Sequence, residues 1–174
     1  NSKTIDCIWN GMTATDELKN QINFSSAYMN NSQVAVIRKA DAAKYKDLAS
    51  MSGAKVVAEA GSAGEIAVKA DAGLSKSYLP VKDQGTSLME VKSKTADIAI
   101  IDAVTAAGSI GEGTDYNDLM IVDVISSADS EVYAVGIRQG DTELTAKINA
   151  AIKELYDDGT LAKLAEKYNL SGRV

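Results

Sequence analysis

Short runs of aliphatic and β-branched residues alternate with amphipathic helical stretches along this chain, and that alternation limits the fold more than any other property. Ile5–Trp9, Val34–Ile37, Lys55–Ala60, Ser77–Val81, Ala96–Ile101, Leu119–Val124 and Val132–Ile137 read as strands. Helices are predicted near Ala43–Met51, from the Gly61–Gly64 turn to about Gly73, and over Gln84–Ser93 and Ala103–Ser109. Two more are predicted at Thr142–Tyr156 and Leu161–Tyr168, split by Asp157-Asp158-Gly159. Thr15 ahead of Asp16-Glu17-Leu18-Lys19 marks a short capped turn of helix. Strands alternating with helices predict an α/β protein with a largely parallel sheet. With 45% hydrophobic residues over 174 positions, the chain can build a core in one domain or in two small lobes.

Composition removes whole classes of chemistry. There is no histidine, so imidazole-based triads, dyads, zinc sites and proton shuttles are excluded. The single Cys7 excludes an intrachain disulfide and a cysteine zinc site. Lysine and arginine total 18 against 24 aspartates and glutamates, a net charge of −6, which disfavours nucleic acid and anionic membrane as partners. Apolar runs such as Ile98–Ile101 are too short to span a bilayer. No charged-then-apolar leader opens the chain, so a signal peptide is expected to be absent from it. No metal or cofactor is expected.

A few positions remain as candidates for binding. The turn Gly61-Ser62-Ala63-Gly64 joins a strand to a helix N-terminus, where unsatisfied N–H groups and the positive dipole end suit a carboxylate or phosphate. An ordinary capped turn explains the same residues, and the pattern is neither GxGxxG nor a Walker loop. Asp102 closes an apolar strand, the place where open α/β sheets bind ligands, and could hold an ammonium group. It could equally cap the helix that follows. Ser52-Gly-Ala-Lys55 matches a serine–lysine pattern, but no SDN follows and Lys94-Thr95-Ala96 is not KTG, so a loop before a strand is the better reading.

Taken in order, the motifs become specific. Asp6-Cys-Ile-Trp-Asn-Gly-Met-Thr-Ala-Thr-Asp-Glu17, followed by Ile22-Asn-Phe-Ser-Ser-Ala-Tyr28, resembles the DxxxxGMTxTxER…DFSxPY signature of family 3 solute-binding proteins. These are extracytoplasmic receptors of polar amino-acid ABC importers. Lys55–Glu65 is similar to the family's KKVAVQAGTTGEE, and Thr95-Ala-Asp-Ile-Ala-Ile-Ile-Asp102 to its GKVDAVIVD. Gly140-Asp-Thr-Glu-Leu144 through Asp158-Gly-Thr-Leu-Ala-Lys163 is similar to its closing GDPEL…DGTLxKI segment. The resemblance covers nearly the whole chain.

It implies a type II periplasmic-binding-protein-like α/β fold of two lobes, with mostly parallel sheets and an amino acid bound between the lobes. The Gly11 carbonyl and Thr13 hydroxyl would receive the ligand ammonium, with Asp102 as its charged partner. The Thr13 and Ala63 amides would hold the α-carboxylate, helped by the turn that includes Ser62. A buried zwitterion needs acceptors at one end and donors at the other, so the assignment is physically consistent. Gln33–Arg38 and Glu131–Ile137 would be the crossing strands, with closure recognised by a membrane permease.

The chain departs from the family pattern in two ways. Leu18 stands where the family has the arginine that grips the carboxylate, and the adjacent Lys19 projects in another direction. The family's opening segment also has no counterpart here. The expected layout is therefore a partial lobe 1 over 1–33, a complete lobe 2 over 34–130, and a return strand with C-terminal helices over 131–174. A half-built lobe exposes apolar surface, so self-association or domain swapping is expected. Other functions on the same fold are a cyclohexadienyl dehydratase-like enzyme, with Glu65 or Asp102 as the general acid, a sensor domain, and a truncated form that no longer binds. Turnover of prephenate or arogenate would mark the enzyme.

Overall fold

A computed structural model describes residues 4–125 and 131–174, and the chain divides into two units. The central unit is Ser32–Ser127, and the terminal unit is Asn1–Asn31 with Ala128–Val174. The expected lobe boundary at Ser130 and the first three residues of the expected partial lobe lie outside the described residues.

In chain order the elements begin with β1 (Cys7–Ile8), α1 (Asp16–Lys19), β2 (Asn23–Phe24) and β3 (Met29–Asn30). The central unit follows with β4 (Gln33–Arg38), β5 (Val56–Glu59), α2 (Ala63–Ala70), β6 (Tyr78–Val81), α3 (Gln84–Lys92), β7 (Ile98–Asp102), α4 (Ala103–Ser109) and β8 (Leu119–Val124). The chain then forms β9 (Val132–Tyr133), β10 (Gly136–Ile137), α5 (Thr142–Asp157) and α6 (Thr160–Lys167). Among the described residues no helix is long and apolar enough to cross a membrane.

The central unit is a sheet of order β6-β5-β7-β4-β8 with helices on both faces. Alternation along the strands sorts the core. Val34, Val36, Val57, Ala99 and Ile101 pack with Leu88 and Val91 of α3 and Ala106 of α4. Ala35, Ile37, Val56, Ala58, Ile98 and Ile100 pack on the other side with Val68 of α2. Because both faces are covered, the strands read as continuous apolar runs. The sheet is not largely parallel: β5 pairs parallel with β6 and β7, but β4 runs antiparallel to both β7 and β8. Only the strands joined through α2 and α3 are set parallel by a helical crossover. The predicted helix near Ala43–Met51 is also replaced, by short 3-10 turns at Lys39–Asp41 and Leu48–Met51. Asp47 caps the second turn through the Ser50 amide and so starts a new element inside the expected helix.

Strand β4 ends on Arg38, whose guanidinium donates to the Val91 and Ala96 carbonyls, each at 2.7 Å. It also pairs with Asp41 at 2.6 Å and Asp97 at 3.2 Å. The side chain thus ties the end of β4 to the last turn of α3 and to the segment that leads from it into β7.

The terminal unit is thinner. Strands β1, β10 and β2 form an antiparallel sheet in that order, and β3 pairs with β9. The expected single strand Val132–Ile137 is divided because its backbone changes partners: Tyr133 pairs with Met29, whereas Gly136 pairs with Ile8 and Phe24. Leu144, Ile148 and Ile152, four residues apart on α5, share one helix face and pack on Val135 and Ile137. Gly159, with φ +74°, reverses the chain between α5 and α6.

Candidate functional site

Strands β5 and β7 are neighbours, and the helices that follow them leave to opposite faces of the sheet, α2 to one and α4 to the other. The carboxyl ends of such a strand pair form the crevice where open α/β sheets bind ligands. At the end of β5 lies Gly61–Gly64, and at the end of β7 lies Asp102.

The turn is built by a small set of bonds. Gly61 has φ +77°, a conformation that favours glycine. Ser62 caps α2: its Oγ accepts from the Glu65 amide at 3.2 Å and donates to the Glu59 carbonyl at 2.8 Å. The Gly61 amide donates to Glu65 Oε2 at 2.8 Å. Ala63 and Gly64 occupy the first two helical positions, whose N–H groups have no intrahelical acceptor. Gly64 lets the helix approach the sheet, because a Cβ there would lie 2.9 Å from the Ile100 carbonyl oxygen and 3.0 Å from Gln33 Oε1. The Lys69 ammonium, hydrogen-bonded to Glu65, holds that carboxyl below its ordinary range, with the Gly61 amide adding to the effect. Ser62 thus helps to build the turn, and Ala63 is the first residue of the helix that the turn opens.

Asp102 is buried and occupies the cap position of α4, yet its side chain makes no capping bond. Oδ1 accepts from Gln33 Nε2 at 2.6 Å, and Oδ2 accepts from Gln84 Nε2 at 2.7 Å. Burial pushes the nearby Glu59 carboxyl up, and the charges of Asp102 and Asp83 push in the same direction. Gln33 and Gln84 stand in predicted elements, but neither is among the candidate binding residues of the sequence. Gln84 opens α3 just after Asp83, and no spacing rule links that position to the end of β7.

In the terminal unit, Gly11 and Thr13 sit together. Gly11 has φ +76°, and its Cα faces the Tyr133 ring so closely that a Cβ would come within 3.2 Å of it. Thr13 bridges to Tyr133. The Tyr28 ring centroid lies 5.9 Å from that of Trp9 and 6.4 Å from that of Tyr133, so three aromatic rings gather beside Gly11. Burial raises the Tyr28 phenol above its ordinary value, against hydrogen bonds from the Gly11 backbone and from Trp9. Lys19 is no stand-in for an arginine at position 18, since it is exposed and pairs with Asp16 of its own helix at 2.9 Å. The structure thus brings Gly11 and Thr13 together in one unit, and Ser62, Ala63 and Asp102 in the other. Among the described residues no cluster of three acidic or cysteine side chains could hold a metal ion.

The sequence model of the bacterial extracellular solute-binding proteins, family 3, matches residues 1–171. The chain belongs to that family. An arginine-binding extracellular protein of Bacillus subtilis is 33% identical over 171 residues, covering 96% of this chain and 64% of its own length. An L-cystine-binding protein of Escherichia coli is 27% identical over 169 residues, covering 96% of this chain and 61% of its own. The chain therefore spans less than two thirds of these family 3 relatives. Among solved structures, a mutant arginine-binding protein from T. maritima aligns with a TM-score of 0.81 at 31% identity, over 96% of this chain and 70% of that one. The fold is the two-lobed α/β type II periplasmic-binding-protein-like fold.

Proposed function

We propose that this chain is the substrate-binding component of an ABC importer, capturing a polar or charged L-amino acid outside the cytoplasm for delivery to a membrane permease. The observation that carries the reading is the pair of features at the ends of β5 and β7: a buried carboxylate at Asp102, and a helix N-terminus presenting the Ala63 amide. A zwitterion needs that combination of acceptor and donor. Asp102 receives the ammonium, assisted by the Gly11 carbonyl and Thr13 hydroxyl. The Ala63 and Thr13 amides receive the carboxylate, with Ser62 holding the turn in shape. Family membership and the names of the relatives support the amino-acid class, and the two arginine-binding relatives make L-arginine the first ligand to try.

Calorimetric titration with each of the twenty amino acids is the test. Saturable micromolar binding of one chemical class is expected. Asp102→Asn should then weaken it by on the order of a hundredfold, because the ligand's buried charge loses its partner. Silence across the panel would overturn the reading.

A further inference from the structure

We propose that Gln84 is a positioning residue that keeps the Asp102 carboxylate turned away from its own helix, as the acceptor for the ligand ammonium; this rests on the amino-acid-binding function proposed above.

Asp102 has the cap position and the extended backbone, φ −61° and ψ 134°, from which an aspartate ordinarily accepts the amide two or three residues on. Among the described residues, the three other aspartates at the cap position of an α-helix or 3-10 turn do so: Asp47, Asp83 and Asp141 bond the amides of Ser50, Thr86 and Leu144. Asp102 is the exception, and its two carboxylate oxygens accept instead from Gln33 and Gln84. The Gln84 side chain grips one residue twice. Its Oε1 accepts from the Asp102 backbone N–H at 3.1 Å, and its Nε2 donates to Asp102 Oδ2 at 2.7 Å. A side-chain amide that holds both the backbone and the carboxylate of its target fixes the torsion between them.

Gln84 is itself anchored. It is the first residue of α3, directly after the Asp83 cap, and its backbone amide is directed to the Glu59 carboxylate. The opposite carboxylate oxygen is held by Gln33 at 2.6 Å. Both grips are neutral amides, which orient a carboxylate without cancelling its charge. A site that must accept an ammonium with little reorganisation needs that arrangement. The outcome differs from ordinary satisfaction of a buried polar group, for which the helix cap was already at hand.

The test uses Gln84→Met, which keeps the side chain's length and removes both bonds. Binding of L-arginine and of 5-guanidinopentanoate, the same molecule without its α-amino group, is measured by calorimetry. The ratio of the two affinities reports on the ammonium alone. A loss of packing weakens both ligands equally and leaves the ratio unchanged. The ratio is expected to fall about tenfold in Gln84→Met, and Gln84→Met is expected to add nothing further in an Asp102→Asn background. An unchanged ratio, or the same fall in both backgrounds, overturns the proposal. A ligand-free measurement keeps it separable from the proposed function. In Gln84→Met, Asp102 should swing back to cap α4, slowing hydrogen exchange at the Thr105 amide. If no amino acid binds the unaltered chain the functional reading fails, and exchange at Thr105 that does not slow overturns the positioning role on its own.

Discussion

The central and terminal units solve the same packing problem with very different resources. The central unit covers both faces of a five-stranded sheet and buries its inner strands β4, β5 and β7 almost completely. The terminal unit has strands of two residues, a small buried cluster of Val135, Ile137 and Ile152, and a hollow of about 120 Å³ bordered by Ile5, Ile8, Ile22 and Ile137. Ile5 and Trp9 are more than half exposed. Opening free energies vary across a protein with such differences in burial, so Asp102 and the Ala63 turn stand on the firmer ground and Gly11 and Thr13 on the looser.

The sharpest way to break that comparison is a matched pair of truncations. Ile100→Ala should cost about 3–4 kcal/mol, because its closely packed surroundings cannot collapse into the space. Ile137→Ala, beside an existing hollow, should cost about 2 kcal/mol, near the lower end for such changes. Equal costs in chemical denaturation would remove the distinction. Next in size, Gly64→Ala places a methyl group against the Ile100 carbonyl and should cost about 1–3 kcal/mol, with a loss of ligand affinity as the α2 turn shifts. Gly11→Ala, at positive φ and against a tyrosine ring that can give way, should cost about 1 kcal/mol and leave central-unit hydrogen exchange unaltered.

The smallest expected effect is a pH dependence at the α2 turn. The Glu65 carboxyl is held below its ordinary value by Lys69 and the Gly61 amide. Its contribution to stability is then complete above the unfolded-state value near 4.5 and is lost as the pH falls through the lower folded value. Melting temperatures of the parent and Glu65→Gln should differ at pH 7 and converge in acid. A difference that persists at pH 3 would assign the effect to packing.

Much of the central unit was legible because its signals are local. Ala103–Ser109 and Leu119–Val124 form the predicted elements, and Ser62 caps the helix that follows it, as Thr15 does in the terminal unit. What the sequence hid was pairing between distant segments. The direction of β4 is fixed by its neighbours β7 and β8, and apolar periodicity is the same for either direction. The change of partner within Val132–Ile137 is hidden for the same reason. Asp102 was visible as a polar end to an apolar run, but its two glutamine partners lie 69 and 18 residues away. The gathering of Trp9, Tyr28 and Tyr133 beside Gly11 likewise joins segments with no shared spacing.

Trp9 is the sole tryptophan, and it lies in the terminal unit, whereas the aromatic residues of the central unit are Tyr45, Tyr78 and Tyr116. The chain therefore carries a built-in optical label for one half of itself. Indole emission follows the looser unit, while far-ultraviolet dichroism sums over both. If the terminal unit lets go first on heating, the two curves will part at a temperature that measures how strongly the halves depend on one another.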